Sequence, residues 1–158
     1  MTPLAWLLGL FLPACASPGA AGVPVPPPLD LARLERPTTP NTALAAPEGA
    51  DPRPDIATPV FPVAAAQLWT IVRSVAEREP RTSPLAVDEA GMAGSWVARS
   101  AVWNFPDVIM ARVAPEGPEA STLALYSHSL YGRSDFGVNR RRLESWLAAV
   151  NTALPSER

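Results

Sequence analysis

The chain has 158 residues and a net charge of −2, with a pI near 5.4. That length admits one domain, on a scale of roughly 100–200 residues per domain, and the acidic balance excludes a general nucleic-acid binder, which carries a basic excess. One cysteine and one histidine exclude an intrachain disulfide framework and a zinc or iron–sulfur centre, which needs several convergent soft ligands. No metal or other cofactor is implied. All 13 basic residues are arginine, which together with abundant Ala and Pro reflects the base composition of the gene as much as chemistry.

Residues Leu4 to Leu12 form an apolar run. It is too short to span a bilayer, which takes about 20 residues, and has the length of a signal-peptide apolar region. Leu12-Pro13-Ala14-Cys15 follows. It resembles the lipobox of bacterial lipoproteins, in which the cysteine becomes the lipidated N-terminus. Two features depart from that pattern: no basic side chain precedes the run, and Pro13 interrupts the box. Cleavage at the small-x-small site Ala14-Cys15-Ala16 and retention of the run as an anchor are the alternatives. Each places the chain outside the cytoplasm. The expectation is an exported protein of the cell envelope, on the periplasmic side, held to the membrane through lipid on Cys15.

Residues 16–55 are expected to be a Pro-rich, mostly irregular tether, since 14 of the 20 prolines fall at or before Pro62. The segment Ala16 to Pro28 has the composition of an extended spacer, Leu29 to Leu34 of one apolar helical turn, and Pro37 to Pro59 of turns and extended chain. The folded domain is expected over 56–158. Ile56 to Val63 suits an edge strand, because Pro59 and Pro62 cannot donate to a ladder. A helix is predicted over Ala64 to Glu79, with Leu68, Val72, Val75 and Ala76 on one face and Pro80 ending it. Strands follow at Thr82–Asp88, Ser95–Asn104, Val108–Ala114 and Ser121–Ser129. A last helix runs from Val138 to Leu154, with Leu143, Trp146, Leu147, Val150 and Leu154 as its apolar stripe. The order β-α-β-β-β-β-α implies an α+β domain: an antiparallel sheet with both helices on one face, of the helix-grip or TBP-like class. Such folds can enclose an apolar cavity, although a filled core is the default.

From Tyr126 the chain runs Tyr-Ser-His-Ser-Leu-Tyr-Gly-Arg-Ser-Asp-Phe-Gly-Val-Asn-Arg-Arg-Arg-Leu-Glu-Ser-Trp-Leu. With Arg36-Pro37-Thr38-Thr39-Pro40-Asn41 and Phe105-Pro106-Asp107, this resembles the bacterial family called domain of unknown function 1499, from about Arg36 to Leu154. Gly132 to Asn139 is the most specific part. The resemblance implies no established activity. It implies exported or membrane-attached proteins, in agreement with the leader. Many members carry cysteines around the Pro-Asn element, where Arg36 and Thr42 stand here, and an arginine where His128 stands.

Gly132 and Gly137 permit backbone turns closed to other residues, and Ser134 or Asp135 suits the cap of the last helix. Helical geometry places Asn139 and Arg140 on the side of Leu143 and Trp146, Arg141 away from it and Arg142 on the flank. Three arginines at a helix N-terminus oppose the macrodipole. Glu144 and Asp135 could offset them locally, or a bound anion could, held by Arg133, Arg140 and free backbone N–H groups. The candidate ligand-binding residues are therefore His128, Arg133, Asp135, Asn139 and Arg140; no catalytic residue is assigned. Asp107 is a turn residue that could pair with a motif arginine. The function expected is a non-enzymatic binding or interaction module tethered at the membrane. Its partner would be an anionic or amphipathic molecule or another envelope protein. The alternative is an envelope hydrolase or transferase using the polar motif Ser127 to Asn139, where Ser127, His128, Ser129 and Asp135 supply the residue types of a nucleophilic triad.

Overall fold

The computed structural model describes residues 18–155; the apolar run and Cys15 lie outside them. The elements are β1 (Thr42–Pro47), β2 (Ile56–Thr58), α1 (Ala65–Arg78), β3 (Thr82–Asp88), β4 (Ala93–Arg99), β5 (Pro106–Gly117), β6 (Ala120–Ser129) and α2 (Val138–Ala153). The strands form one sheet in the order β2-β1-β6-β5-β4-β3. The architecture is α+β, and from α1 onward every predicted element is present, but β4 starts two residues before Ser95 and ends at Arg99, with Ser100 to Asn104 in a loop, and β5 extends beyond Val108–Ala114 at both ends. Among the described residues no helix is long and apolar enough to cross a membrane.

The 16–55 segment departs most from expectation. Most of its described residues are irregular, as expected, but it is not a free tether: β1 lies inside the sheet, antiparallel to β6 with Thr42 opposite His128. Its other neighbour, β2, is parallel to it, with Ala45 opposite Ile56. The sheet is therefore mixed, and the strand expected over Ile56–Val63 is reduced to three edge residues. A separate bridge joins Phe61 to Ser121. Ala43 and Ala45 face the helices, while Leu44 and Ala46 face the opposite side, all four buried. A strand buried on both faces shows no alternation, and alanine favours strands weakly.

Both helices pack on one face of the sheet. Leu68, Val72 and Val75 of α1 and Leu143, Trp146 and Val150 of α2 meet Ile109, Ala111, Leu123 and Leu125. Trp96 of β4 stands between the helices' own tryptophans. Its ring lies 6.2 Å from that of Trp69 and 5.8 Å from that of Trp146, the latter edge-on at 71°. Aromatic rings in such tilted contact add stability beyond their buried area. The three indoles occupy the space a helix-grip fold could leave open, so the filled-core alternative is the one realised.

The other face of the sheet is covered by the N-terminal segment. Leu29 packs with Leu44, Ala46, Val108, Met110, Ala124 and Tyr126, with Val23, Leu31 and Leu34 at the margin. Arginines on the strands hold the segment in place. Arg99 donates to the carbonyls of Gly19 (2.7 Å) and Ala21 (2.8 Å), and Arg112 donates to that of Leu29 (3.2 Å). The segment from Gly19 to Leu34 is thus a strap on the domain, not a free spacer. Leu29→Ala should cost about 2–5 kcal/mol, the range for a fully buried leucine. Urea unfolding would measure this, and an unchanged midpoint would show that the strap contributes no stability.

Candidate functional site

At the end of the sheet where β6 passes into α2, the polar motif folds around one buried side chain, Asn139, in the first turn of the helix. The amide of Asn139 donates to the carbonyl of Asn41 (3.0 Å) and to Ser129 Oγ (3.0 Å). Its Oδ1 accepts from the Ser127 hydroxyl and from Arg142 (2.8 Å). Two donors and two lone pairs are all an asparagine side chain has, and all four are used. Arg142 extends the network to Asp107 at the start of β5 (2.8 Å), both side chains being largely buried. Asn41 donates in turn to the carbonyl of Gly132 (2.9 Å) and accepts from Thr39 (2.8 Å). The Pro-Thr-Thr-Pro-Asn segment, two strands, the Gly-Arg-Ser-Asp loop and α2 are thereby fastened to one another.

Asp135 caps α2. Its carboxylate accepts from the backbone N–H groups of Gly137 (2.9 Å) and Asn139 (2.7 Å), the arrangement that satisfies a helix start. This corrects two expectations. The N–H groups of Gly137, Val138 and Asn139, among those proposed for an external anion, are held by Asp135 itself, and Asp135 makes no pair with Arg140. Arg140 does not follow Leu143 and Trp146 inward either; it is exposed and pairs with Glu144 one turn on (3.0 Å). The arginine that turns inward is Arg142. Gly137, at φ 77°, provides the left-handed step before the helix.

The remaining candidates scatter. Arg133 is exposed in the loop. His128 projects from the face opposite Ser127 and stacks on Tyr126, with ring centres 5.3 Å apart. Ser127 faces α2 and is committed to Asn139. The Ser-His-Asp set is therefore not assembled: Ser127 and His128 lie on opposite faces of β6, and Asp135 is occupied as a cap. Burial holds the His128 imidazole below its ordinary value of 6.5, only partly opposed by a hydrogen bond with the Ser129 backbone and the charge of Asp107. A histidine whose folded value is depressed binds its proton more readily when unfolded, so stability should fall as pH drops below 6.5. Replacing His128 with Phe should flatten that part of the stability–pH curve. Melts at stepped pH would test this, and an unchanged slope would assign it to other groups.

Directly outside the network lies an open cleft of about 640 Å³. One wall is Arg36 to Pro40 with Thr42 and Asp55; the other is Ser134, Asp135, Gly137 and Arg140. Arg36 is anchored by Asp55 (2.6 Å) and reaches Thr42 (3.2 Å). The same Asp55 oxygen accepts from the Leu44 N–H at the strand edge (2.8 Å). Two guanidinium groups and the hydroxyl-bearing Thr38, Thr39 and Ser134 thus line a space whose walls come from the two most distinctive stretches of the sequence. Sequence reasoning named Asp135 and Arg140 here but missed Arg36, because its segment looked like tether. Among the described residues no group of three or more His, Cys, Asp or Glu side chains is placed to hold a metal ion.

Solved structures with a similar fold include the di-domain ARO/CYC BexL from the BE-7585A biosynthetic pathway, at 14% identity and TM-score 0.46. That match covers 60% of this chain but only 43% of BexL. Another is Ara h 8.0201, at 10% identity and TM-score 0.45, covering 60% of this chain and 91% of the other. Likeness at this level carries nothing about function. No curated protein matches the chain in sequence. Residues 34–150 match the model of a family described as protein of unknown function (DUF1499), a span that holds β1, the cleft, the Asn139 network and nearly all of α2. The chain belongs to the DUF1499 family.

Proposed function

We propose that this domain is a non-enzymatic binding module of the cell envelope, tethered to the membrane on the periplasmic side through lipid on Cys15, and that its site is the cleft between Arg36–Thr42 and Ser134–Arg140. The ligand is an anionic group, phosphate or carboxylate, borne by an envelope molecule. One observation carries this reading. Two arginines and several hydroxyls line an open cleft; of the two carboxylates in the same lining, Asp55 is committed to Arg36 and the Leu44 N–H and Asp135 to the N–H groups at the start of α2. The buried network fixes the walls and the cleft presents the groups. A guanidinium is well matched to planar or tetrahedral oxyanions through paired N–H donors. Arg140 is the more available of the two, since its pair with Glu144 is exposed and such pairs contribute little.

Thermal melts with millimolar sulfate or glycerol 1-phosphate test the reading. A ligand at about ten times its Kd adds roughly 1.4 kcal/mol, a rise of a few degrees for a domain of this size. Arg140→Met should leave the ligand-free melting temperature close to wild type and abolish the rise. Absence of any ligand effect in the wild type would remove the anion site. The address is tested separately by Cys15→Ser, which should release the protein from the membrane fraction; unchanged fractionation and mobility would refute lipidation.

A further inference from the structure

The loops at this same end of the sheet expose large apolar side chains. In the β4–β5 loop Val102 and Trp103 are 80% and 74% exposed, and before α2 Phe136 is 88% exposed. Phe105 and Tyr131, exposed as well, pack across the two loops with ring centres 6.5 Å apart. The loops are joined where the Leu130 N–H donates to the Pro106 carbonyl (3.2 Å). Isolated exposed apolar residues are ordinary, but five in two adjoining loops form a patch that calls for a partner. Phe136 also has a left-handed backbone at φ 53°, which bulky residues seldom adopt. Arg141 holds its carbonyl there (3.0 Å).

Positive charge rings the patch. Arg81 donates to the carbonyls of Arg99 and Ser100 and to Asn104 Oδ1, and Arg99 to the Asn104 carbonyl. Arg133 and Arg141 flank Phe136 in sequence. Among the described residues, none of these four guanidinium groups has a carboxylate within ion-pairing distance. On a chain of net charge −2, four uncompensated arginines around exposed aromatic rings form a local positive pole.

The chain also enters the domain here. Arg99, beside the Trp103 loop, is the residue that fastens Gly19 and Ala21. Cys15 is four residues before Gly19, a reach of at most about 14 Å in extended chain, and the apolar run ends at Leu12. A lipid on Cys15 would therefore lie close to this end.

We infer that this end of the sheet is a membrane-docking surface: Val102, Trp103, Phe105, Tyr131 and Phe136 enter the headgroup layer of an anionic bilayer, with Arg81, Arg133 and Arg141 against lipid phosphates. Tryptophan and tyrosine favour the membrane–water interface, and aromatic residues combined with basic ones form the usual interfacial pairing. The inference shares with the proposed function only the envelope address. Ligand titration without vesicles tests the cleft; the following experiment tests the surface.

In the purified chain carrying Trp6→Phe, Trp103 is the one exposed tryptophan, since Trp69, Trp96 and Trp146 are 3%, 2% and 0% exposed. Vesicles of phosphatidylglycerol and phosphatidylethanolamine, brominated on their acyl chains, should carry the protein down on sedimentation and quench most of the Trp103 emission. Trp103→Phe in the same background should lose the quenchable component. Sedimentation with vesicles while Trp103 stays unquenched would overturn the inference, as would failure to sediment. Equal quenching on brominated phosphatidylcholine would overturn the requirement for anionic lipid. Trp103 shielded from iodide in a dimer without vesicles would assign the patch to a second copy of the chain instead.

Discussion

Asp107→Asn is expected to destabilise the domain by about 3–5 kcal/mol, the cost of stranding a buried charge. The Arg142 guanidinium sits between Asp107, Ser127 and Asn139, with 14% of its side chain exposed. The mutant amide keeps the shape of the carboxylate but not its charge, so the loss reports the charge and not a cavity. The double variant Asp107→Leu with Arg142→Met removes both charges and should recover much of the loss, as apolar replacements of buried pairs often do. Guanidinium chloride unfolding of the single and double variants measures both. A single variant within 1 kcal/mol of wild type, on the order of a surface pair, would mean that water reaches Arg142.

Asn139→Ala should cost about 3 kcal/mol or more, because it leaves several buried groups without partners, each at roughly 1–3 kcal/mol. The Asn41 carbonyl keeps its bond from the Ser129 N–H (3.0 Å), but Ser127 and Arg142 both lose an acceptor. Asn139→Asp separates charge from geometry. The carboxylate would still accept from Ser127 and Arg142, yet it would face the Asn41 carbonyl with an acceptor in place of a donor. Loss of stability in this variant too, read from the same unfolding curves, would establish that the amide donors matter. A neutral Asn139→Asp would place the value of the residue in its Oδ1 alone.

The two helices were legible from their apolar stripes at helical spacing, and the last four strands from runs with large apolar residues bounded by Gly and Pro. Thr82–Asp88 is observed over the residues predicted, and the α2 stripe of Leu143, Trp146, Leu147 and Val150 is buried. β1 was hidden for the opposite reason. Its alanines are buried on both faces, and its flanking prolines look like linker. The strap was hidden because its fastening comes from Arg99 and Arg112, about 80 residues away, and no local pattern announces such contacts.

The candidate site was half legible on the same grounds. Helical spacing put Asn139 with Leu143 and Trp146, correctly. It also put Arg140 there, yet Glu144 one turn on gives that guanidinium an exposed partner and draws it outward. Arg142, expected on the flank, turns inward because Asn139 stands one turn before it and Asp107 lies across the sheet end. The partners that make Asn139 a keystone, Asn41 and Ser127, lie 98 and 12 residues away. Its position was readable; its role was not.

The most direct test of the binding cleft is an amide chemical-shift map of the domain titrated with glycerol 1-phosphate. The account predicts saturable shifts concentrated at Arg36, Thr38, Thr39, Thr42 and the stretch from Ser134 to Arg140, and their absence in Arg140→Met. Shifts centred elsewhere, or none at millimolar ligand, would contradict it and leave the cleft as the outer surface of a purely architectural motif.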